Sequence, residues 1–233
     1  MADFVLVHGA WHGAWCWKRI LPGLWSAGHR AFAVSLTGVG ERSHQLSPDI
    51  RLATHVQDVA AVIDAEELEQ AILVGHSYAG MLITAVGHRM PDRIKCLVYL
   101  DAVIPLDGES WSSGHAPQTQ AQRRKSILEV GVIPPAEPEV FGLQGDDADW
   151  VRRRQTPQPG GVYDDVLRFD SRRVEAIPRI FIDCTNPALP TIDVSRRRAR
   201  EQRGWKVVEI ATGHDAMISA PQELRQAMLN AAC

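Results

Sequence analysis

Residues 74–80 read VGHSYAG: a serine between small residues, directly after an apolar run and before a helix-like pattern. The spacing matches G-x-S-x-[GA], the mark of a strand-to-helix turn so tight that the positions two before and two after the serine must be small. Gly75 and Ala79 meet that need, the second with alanine where the pattern has glycine. A serine held this way carries out acyl transfer once a base takes its proton. Of the nine histidines, His214 has the matching context, in ATGHDAM between the last strand-like run and a terminal helix. Loops at the carboxyl ends of parallel strands share one rim, so Ser77 and His214 are expected to meet. The oxyanion that forms in such a reaction needs N–H donors. The Tyr78 N–H offers one. The turn HGAWHGAW (residues 8–15) offers the Ala10 N–H as a second, with Gly9 and Gly13 letting backbone approach a ligand.

The imidazole in turn needs a carboxylate. Asp101 ends the apolar run Cys96–Leu100 and is the preferred acid; Asp183, inside a later run, and Glu41, in the loop after the second run, are the alternatives. Trp11 and Tyr78 are expected to face a substrate pocket together with Trp111. Trp15 and Trp17 read as core. His12 is expected to hydrogen-bond within its own turn and His76 to pack beneath the serine.

These residues must be positioned by a scaffold. Short apolar runs lie at Phe4–His8, Ala31–Leu36, Ala71–Gly75, Cys96–Leu100, Ile180–Ile182 and Val207–Ile210. They are rich in Val, Ile and Leu without polar alternation, as strands buried on both faces of a parallel sheet are. Helical patterns lie between them at Trp15–Ala27, Thr54–Glu67 with Thr54 as N-cap, and Ser77–Arg89, and Pro221 opens a last helix. Alternation of this kind predicts an α/β fold with a mainly parallel sheet of about six strands. The rhythm breaks at 104–178, which shows no strand pattern, several prolines and polar helical patches near 119–130 and 147–155. Its apolar residues, Trp111, Ile127, Leu128, Val132, Ile133, Phe141, Trp150 and Val166, suggest a cap inserted before the last two strands. Residues 1–103 and 179–233 then form the core. The clusters Arg152–Arg154 and Arg196–Arg198 read as solvated helix faces.

The chain has 233 residues, 45% of them hydrophobic, and a formal net charge of −3. One sizeable core is expected, and no nucleic-acid or membrane partner. No apolar run approaches the roughly 18–20 residues that span a bilayer, and MADFVLVHGAWHG reads as a first strand, not a signal segment. Cys16, Cys96, Cys184 and Cys233 are scattered, as free thiols in a reducing cytoplasm would be. No metal or cofactor is expected: no clustered His/Cys ligand set exists, and GVGERS (residues 38–43) is only a fragment of a dinucleotide fingerprint.

Taken in order, HGAWHGAWCW, VGHSYAG and ATGHDAMISAPQEL resemble the α/β-hydrolase superfamily, and within it the branch of plant hydroxynitrile lyases, salicylate methyl esterases and small bacterial esterases. LTGVGERSH and YLDAVIP resemble its bacterial side. The resemblance covers nearly the whole chain and is weakest at 104–178. It implies Ser77 as nucleophile, His214 as base, and Ala10 and Tyr78 as oxyanion donors. It also implies an acid after the fifth run, where this chain has Asn186, and a shift of the acid to the neighbouring strand end is known in the superfamily. The lyase pattern has threonine at the place of Gly9 and lysine at that of Asp215, so hydrolysis of a small ester, carbamate or activated amide is expected. A lyase, or a ligand-binding pseudoenzyme on the same fold, are the alternatives.

Overall fold

The computed structural model describes residues 1–231. In chain order the elements are β1 (Asp3–Val7), α1 (Leu21–Ser26), β2 (Arg30–Val34), α2 (Leu52–Ala65), β3 (Ala71–His76), α3 (Ala79–Arg89) and β4 (Ile94–Leu100). There follow α4 (Pro117–Val130), β5 (Val132–Ile133), α5 (Gly145–Arg152), β6 (Gln158–Pro159), α6 (Ser171–Glu175), β7 (Arg179–Cys184), α7 (Asp193–Glu201), β8 (Trp205–Ile210), α8 (Ala216–Ser219) and α9 (Pro221–Leu229).

All six expected strands lie in one parallel sheet of order β2-β1-β3-β4-β7-β8. The chain runs outward from β1 to β2, then returns to place β3 on the other side of β1. The direction of winding therefore changes between β1 and β3, where an open α/β sheet forms its crevice at the carboxyl ends. Alternate side chains feed two layers. Phe4, Leu6, Ile72, Val74, Val98 and Ile182 pack with Trp17, Leu24 and Leu224. Val5, Val7, Leu73, Leu97 and Phe181 pack with Val59, Ile63, Leu82 and Val86. Burial on both faces is why these strands read as unbroken apolar runs.

Several local expectations are corrected. Helix α2 begins at Leu52 after Arg51; Thr54 is its third residue, and its hydroxyl accepts the Arg51 N–H at 3.2 Å. The stretch 15–27 divides into a 3₁₀ turn at Ala14–Trp17 and α1. Residues 104–178 do hold strands: β5 and β6 form an antiparallel pair too short to leave a periodic signature. Within this segment Trp111, Ile133 and Phe141 are buried, but Leu128 is 88% and Val166 52% exposed. The buried ones belong to the same apolar cluster as the sheet, so the segment is packed onto the body without a core of its own. Arg152–Arg154 are exposed, as expected, but Arg196 is buried. Among the described residues, no helix is long and apolar enough to cross a membrane. Cys16, Cys96 and Cys184 are free and buried; Cys233 lies outside the described residues.

Candidate active site

The turn after β3 puts Ser77 at φ 54°, a left-handed conformation that a non-glycine residue adopts only where its surroundings hold it there. The hold is visible. The Ser77 N–H donates to Leu100 O at 3.1 Å, and Ser77 O accepts the Val103 N–H at 3.0 Å. The turn closes so tightly that a Cβ on Gly75 would lie 2.8 Å from Ala79 O. This is the steric reason for small residues on both sides of the serine. Ser77 is half-buried, while Tyr78 and His214 are buried.

The turn after β1 lies against the serine. A Cβ on Gly9 would fall 2.9 Å from Ser77 Cβ and 2.8 Å from His76 Nδ1. Trp11 has φ 66°, its N–H donates to Gln158 Oε1 at 3.1 Å, and its indole N–H donates to Ile133 O at 3.0 Å. Ala10 is buried. Among the described residues neither the Ala10 N–H nor the Tyr78 N–H donates to a protein acceptor. Two unpaired N–H groups of buried residues thus lie after neighbouring strands, where an anion could accept from them.

His214 follows β8. Its Nδ1–H donates to Asp101 Oδ2 at 2.6 Å, and Asp101 is fully buried at the end of β4. Asp101 itself has φ 39°, and its N–H is held by Ile182 O at 2.8 Å. Its other oxygen, Oδ1, accepts from Arg196 Nη2 at 2.8 Å. With the proton on Nδ1, His214 Nε2 is left as an acceptor. The other two acids sit elsewhere. Both oxygens of Asp183 are taken, by Arg196 Nε and Arg200 Nη2, each at 2.6 Å. Glu41 binds the Ser35 hydroxyl and the Trp15 N–H. Burial works against the Arg196 charge, but Asp101 and Asp183 outweigh it and hold the guanidinium protonated. Arg196 thus ties two strand-end carboxylates together. By its sequence context Arg196 reads as part of a solvated helix face. The signal available was Asp193 one helical turn before Arg196, which binds it at 2.8 Å, too weak along the chain to separate Arg196 from Arg197.

A second buried network lies beneath. His12 Nδ1–H donates to Ala10 O at 2.7 Å, and His12 Nε2 lies 3.2 Å from Asp215 Oδ2. Burial lowers the His12 pKa, but the Asp215 charge and both hydrogen bonds outweigh it, and the net direction is upward. Burial likewise raises Asp215, yet His12 above all holds it down at about 2. The pair therefore joins the turn that carries Ala10 to the loop that carries His214. His76, beneath the serine, donates to His214 O at 3.1 Å; burial first, then the neighbouring His214, keep it well below the ordinary histidine value and neutral. His76, His214 and Asp215 bring ligand-type atoms within 4.8 Å of one another, but His214 Nδ1 is committed to Asp101 and Asp215 Oδ2 to His12.

Four rings form a contiguous cluster that reaches His214. Tyr78 lies 4.9 Å from Trp111, Trp111 lies 6.1 Å from Trp11, and Trp11 stacks on Phe141 at 6.0 Å. Phe141 in turn lies 5.6 Å from His214. The Tyr78 hydroxyl is 3.1 Å from His55 Nδ1, whose opposite nitrogen donates to Thr37 O. Trp17 is core, as expected, whereas Trp15 is half-buried and stacks on His12.

The chain matches a family described as "Alpha/beta hydrolase family" over residues 4–227. It is 38% identical to a carbendazim hydrolyzing esterase of Nocardioides sp. (strain SG-4G), covering 97% of this chain and 98% of that one. It is 28% identical to a pyrethroid hydrolase of Sphingobium wenxiniae, over 98% and 86% of the two chains. In structure it resembles an extracellular alpha/beta-hydrolase of a Paenibacillus species at 22% identity and TM-score 0.88, covering 100% and 99% of the two chains.

Proposed function

The chain belongs to the alpha/beta hydrolase family and is a carboxylic ester hydrolase, and from that premise we propose that Ser77, His214 and Asp101 are its catalytic triad. The supporting observation is the 2.6 Å bond from His214 Nδ1 to a buried carboxylate on the strand next to the serine's own. In this reading His214 Nε2 takes the Ser77 hydroxyl proton as Oγ attacks the acyl carbonyl. The carbonyl oxygen gains charge and accepts from the Ala10 and Tyr78 N–H groups. Asp101 stabilises the imidazolium, which passes its proton to the leaving group. Water activated by the same imidazole then releases the acyl group.

The substrate we propose is a small ester or carbamate with an apolar or aromatic part, enclosed by Trp11, Tyr78 and Trp111. Residues 104–178 act as the cap that brings Trp111 and Phe141 over the site. A relative that hydrolyzes carbendazim makes carbendazim itself a substrate to assay. Buried free thiols are compatible with a cytoplasmic enzyme. A lyase reading finds no support at Gly9, because a threonine there would drive its Cβ into Ser77 and His76.

The test is covalent labelling and turnover together. A fluorophosphonate is expected to add one label per chain, and 4-nitrophenyl esters to be hydrolysed; Ser77→Ala is expected to abolish both. Labelling that persists in the variant removes Ser77 from the mechanism.

A further inference from the structure

Arg123 on α4 is placed unlike the other cations of its helix. Arg124 forms two hydrogen bonds to Asp164, at 3.0 and 2.9 Å, and Lys125 pairs with Glu129 along the helix. Among the described residues no carboxylate pairs with Arg123. Its guanidinium carbon instead lies 4.9 Å from the Trp111 ring centre, 5.4 Å from Trp11 and 5.6 Å from Tyr163. The polar groups that meet it are neutral. His115 Nε2 is 3.2 Å from Nη1, and burial, then the Arg123 charge, push that imidazole down to about 3. Its other nitrogen, Nδ1, donates to the Tyr163 hydroxyl at 3.1 Å.

This cation also lines a cleft of about 410 Å³ with Trp11, Ile133, Pro134, Pro135 and Val140, and no acidic residue shares that lining. The floor at Trp11 is the residue after Ala10, and the same indole stacks on the Phe141 ring that covers His214. The rings of Trp11 and Phe141 therefore stand between the cleft and His214.

Arg123 is half-buried; a guanidinium partly removed from water without a counter-charge is costly, and ring faces compensate for only part of the loss. His115 and Tyr163 engage part of its N–H edge, and the N–H groups that remain are what a ligand in the cleft can reach. That edge matches a planar carboxylate, which takes two parallel hydrogen bonds. We infer that the cleft is the outer part of the substrate pocket, reached past Trp11, and that Arg123 receives a carboxylate on the substrate. The favoured substrate is then a half-ester: a neutral ester at one end and an anion at the other. This inference rests on the ester-hydrolase reading with Ser77 as nucleophile.

Two measurements test it separately from that reading. The first is kinetic. The 4-nitrophenyl half-ester of terephthalic acid is compared with the analogue whose free carboxylate is a neutral carboxamide. The wild type is expected to favour the anion in kcat/KM, mainly through KM. Arg123→Gln is expected to lower the anion-to-amide ratio by roughly tenfold or more, and Arg123→Lys to restore part of it. The ratio is read within each protein, so a general loss of activity does not imitate the effect. The second needs no turnover: tryptophan fluorescence of wild-type protein and Ser77→Ala titrated with benzoate and benzamide. Tighter binding of benzoate, weakened by added salt, supports the site. Equal binding of the two by wild-type protein overturns it, whatever the folding of any variant, and so does an unchanged kinetic ratio in Arg123→Gln. If benzoate binds preferentially but no ester is turned over, the anion site stands and the serine reading falls. If esters are cleaved in a Ser77-dependent way with no preference for the anion, the serine reading stands and the anion site falls.

Discussion

At the scale of single residues, the decisive contact is between His214 and Asp101. A carboxylate on Nδ1 fixes the tautomer that leaves Nε2 free to accept the serine proton, and its charge offsets the imidazolium that follows. Replacing it by an amide removes both effects and leaves the proposed oxyanion donors in place. Asp101→Asn is therefore expected to lower kcat by about 10³- to 10⁴-fold with the protein still folded. Asp183 is held by Arg196 and Arg200 and does not touch His214. Asp183→Asn is expected to cost stability, about 3 kcal/mol by the loss of a buried ion pair, and to change kcat far less. Steady-state rates and denaturant midpoints of the two variants decide the ranking. A larger fall in kcat for Asp183→Asn would overturn the assignment of Asp101.

At the scale of elements, the site depends on three strand ends meeting with almost no spare volume. The turn after β1 rests on the turn after β3, and the turn after β3 is bonded to the end of β4. Gly9 shows how little room there is, since its missing side chain is what lets the Ala10 turn lie beside Ser77. Gly9→Thr, the residue of the lyase pattern, is expected to lower the melting temperature and the esterase activity together. It is not expected to create a cyanohydrin-cleaving enzyme. Cyanide release from mandelonitrile by a well-folded Gly9→Thr protein would refute this. The pair His12–Asp215 acts between elements too, joining the turn that carries Ala10 to the loop that carries His214. The insertion contributes by contact as well: its Gln158 and Thr156 bind the backbone of Trp11 on either side.

At the scale of the whole molecule, histidine burial sets the response to acid. Burial holds His8 at about 3 and His55 at about 4. Burial, then the Arg123 charge, hold His115 at about 3, and burial, then the neighbouring His214, push His76 well below the ordinary value. Each is neutral in the folded state at pH values where the unfolded chain takes up a proton. Their contribution to stability is complete above the unfolded value near 6.5 and is lost as pH falls toward the folded values. His12 is shifted the other way, so its contribution is complete below about 6.5 and is lost as pH rises through its raised value. Stability is thus expected to fall steeply from about pH 6.5 to 4, with about two or more protons taken up on unfolding near pH 5.5. Denaturant unfolding across this range measures the number directly. A flat profile would mean that these imidazoles already carry protons in the folded state.

The strand runs, their parallel pairing and the tight turn at Ser77 are properties of neighbouring residues, and they are readable along the chain. Apolar runs of three to six residues report burial on two faces, and Gly75 and Ala79 report a turn with no room for larger side chains. The two-residue strands β5 and β6 escape because a strand that short has no period to detect. Which acid serves His214 is a question of another kind. Asp101 and Asp183 end neighbouring strands but stand far apart in sequence, and local pattern ranks them without separating them. The tertiary structure puts one on the imidazole and the other on two arginines. The same holds for Arg196 and Arg123, which look like any other arginine in a polar helix. Only the folded chain surrounds the first with carboxylates and the second with aromatic rings, because the partners of a buried charge are set by distances across the sheet and the insertion and not by order along the chain.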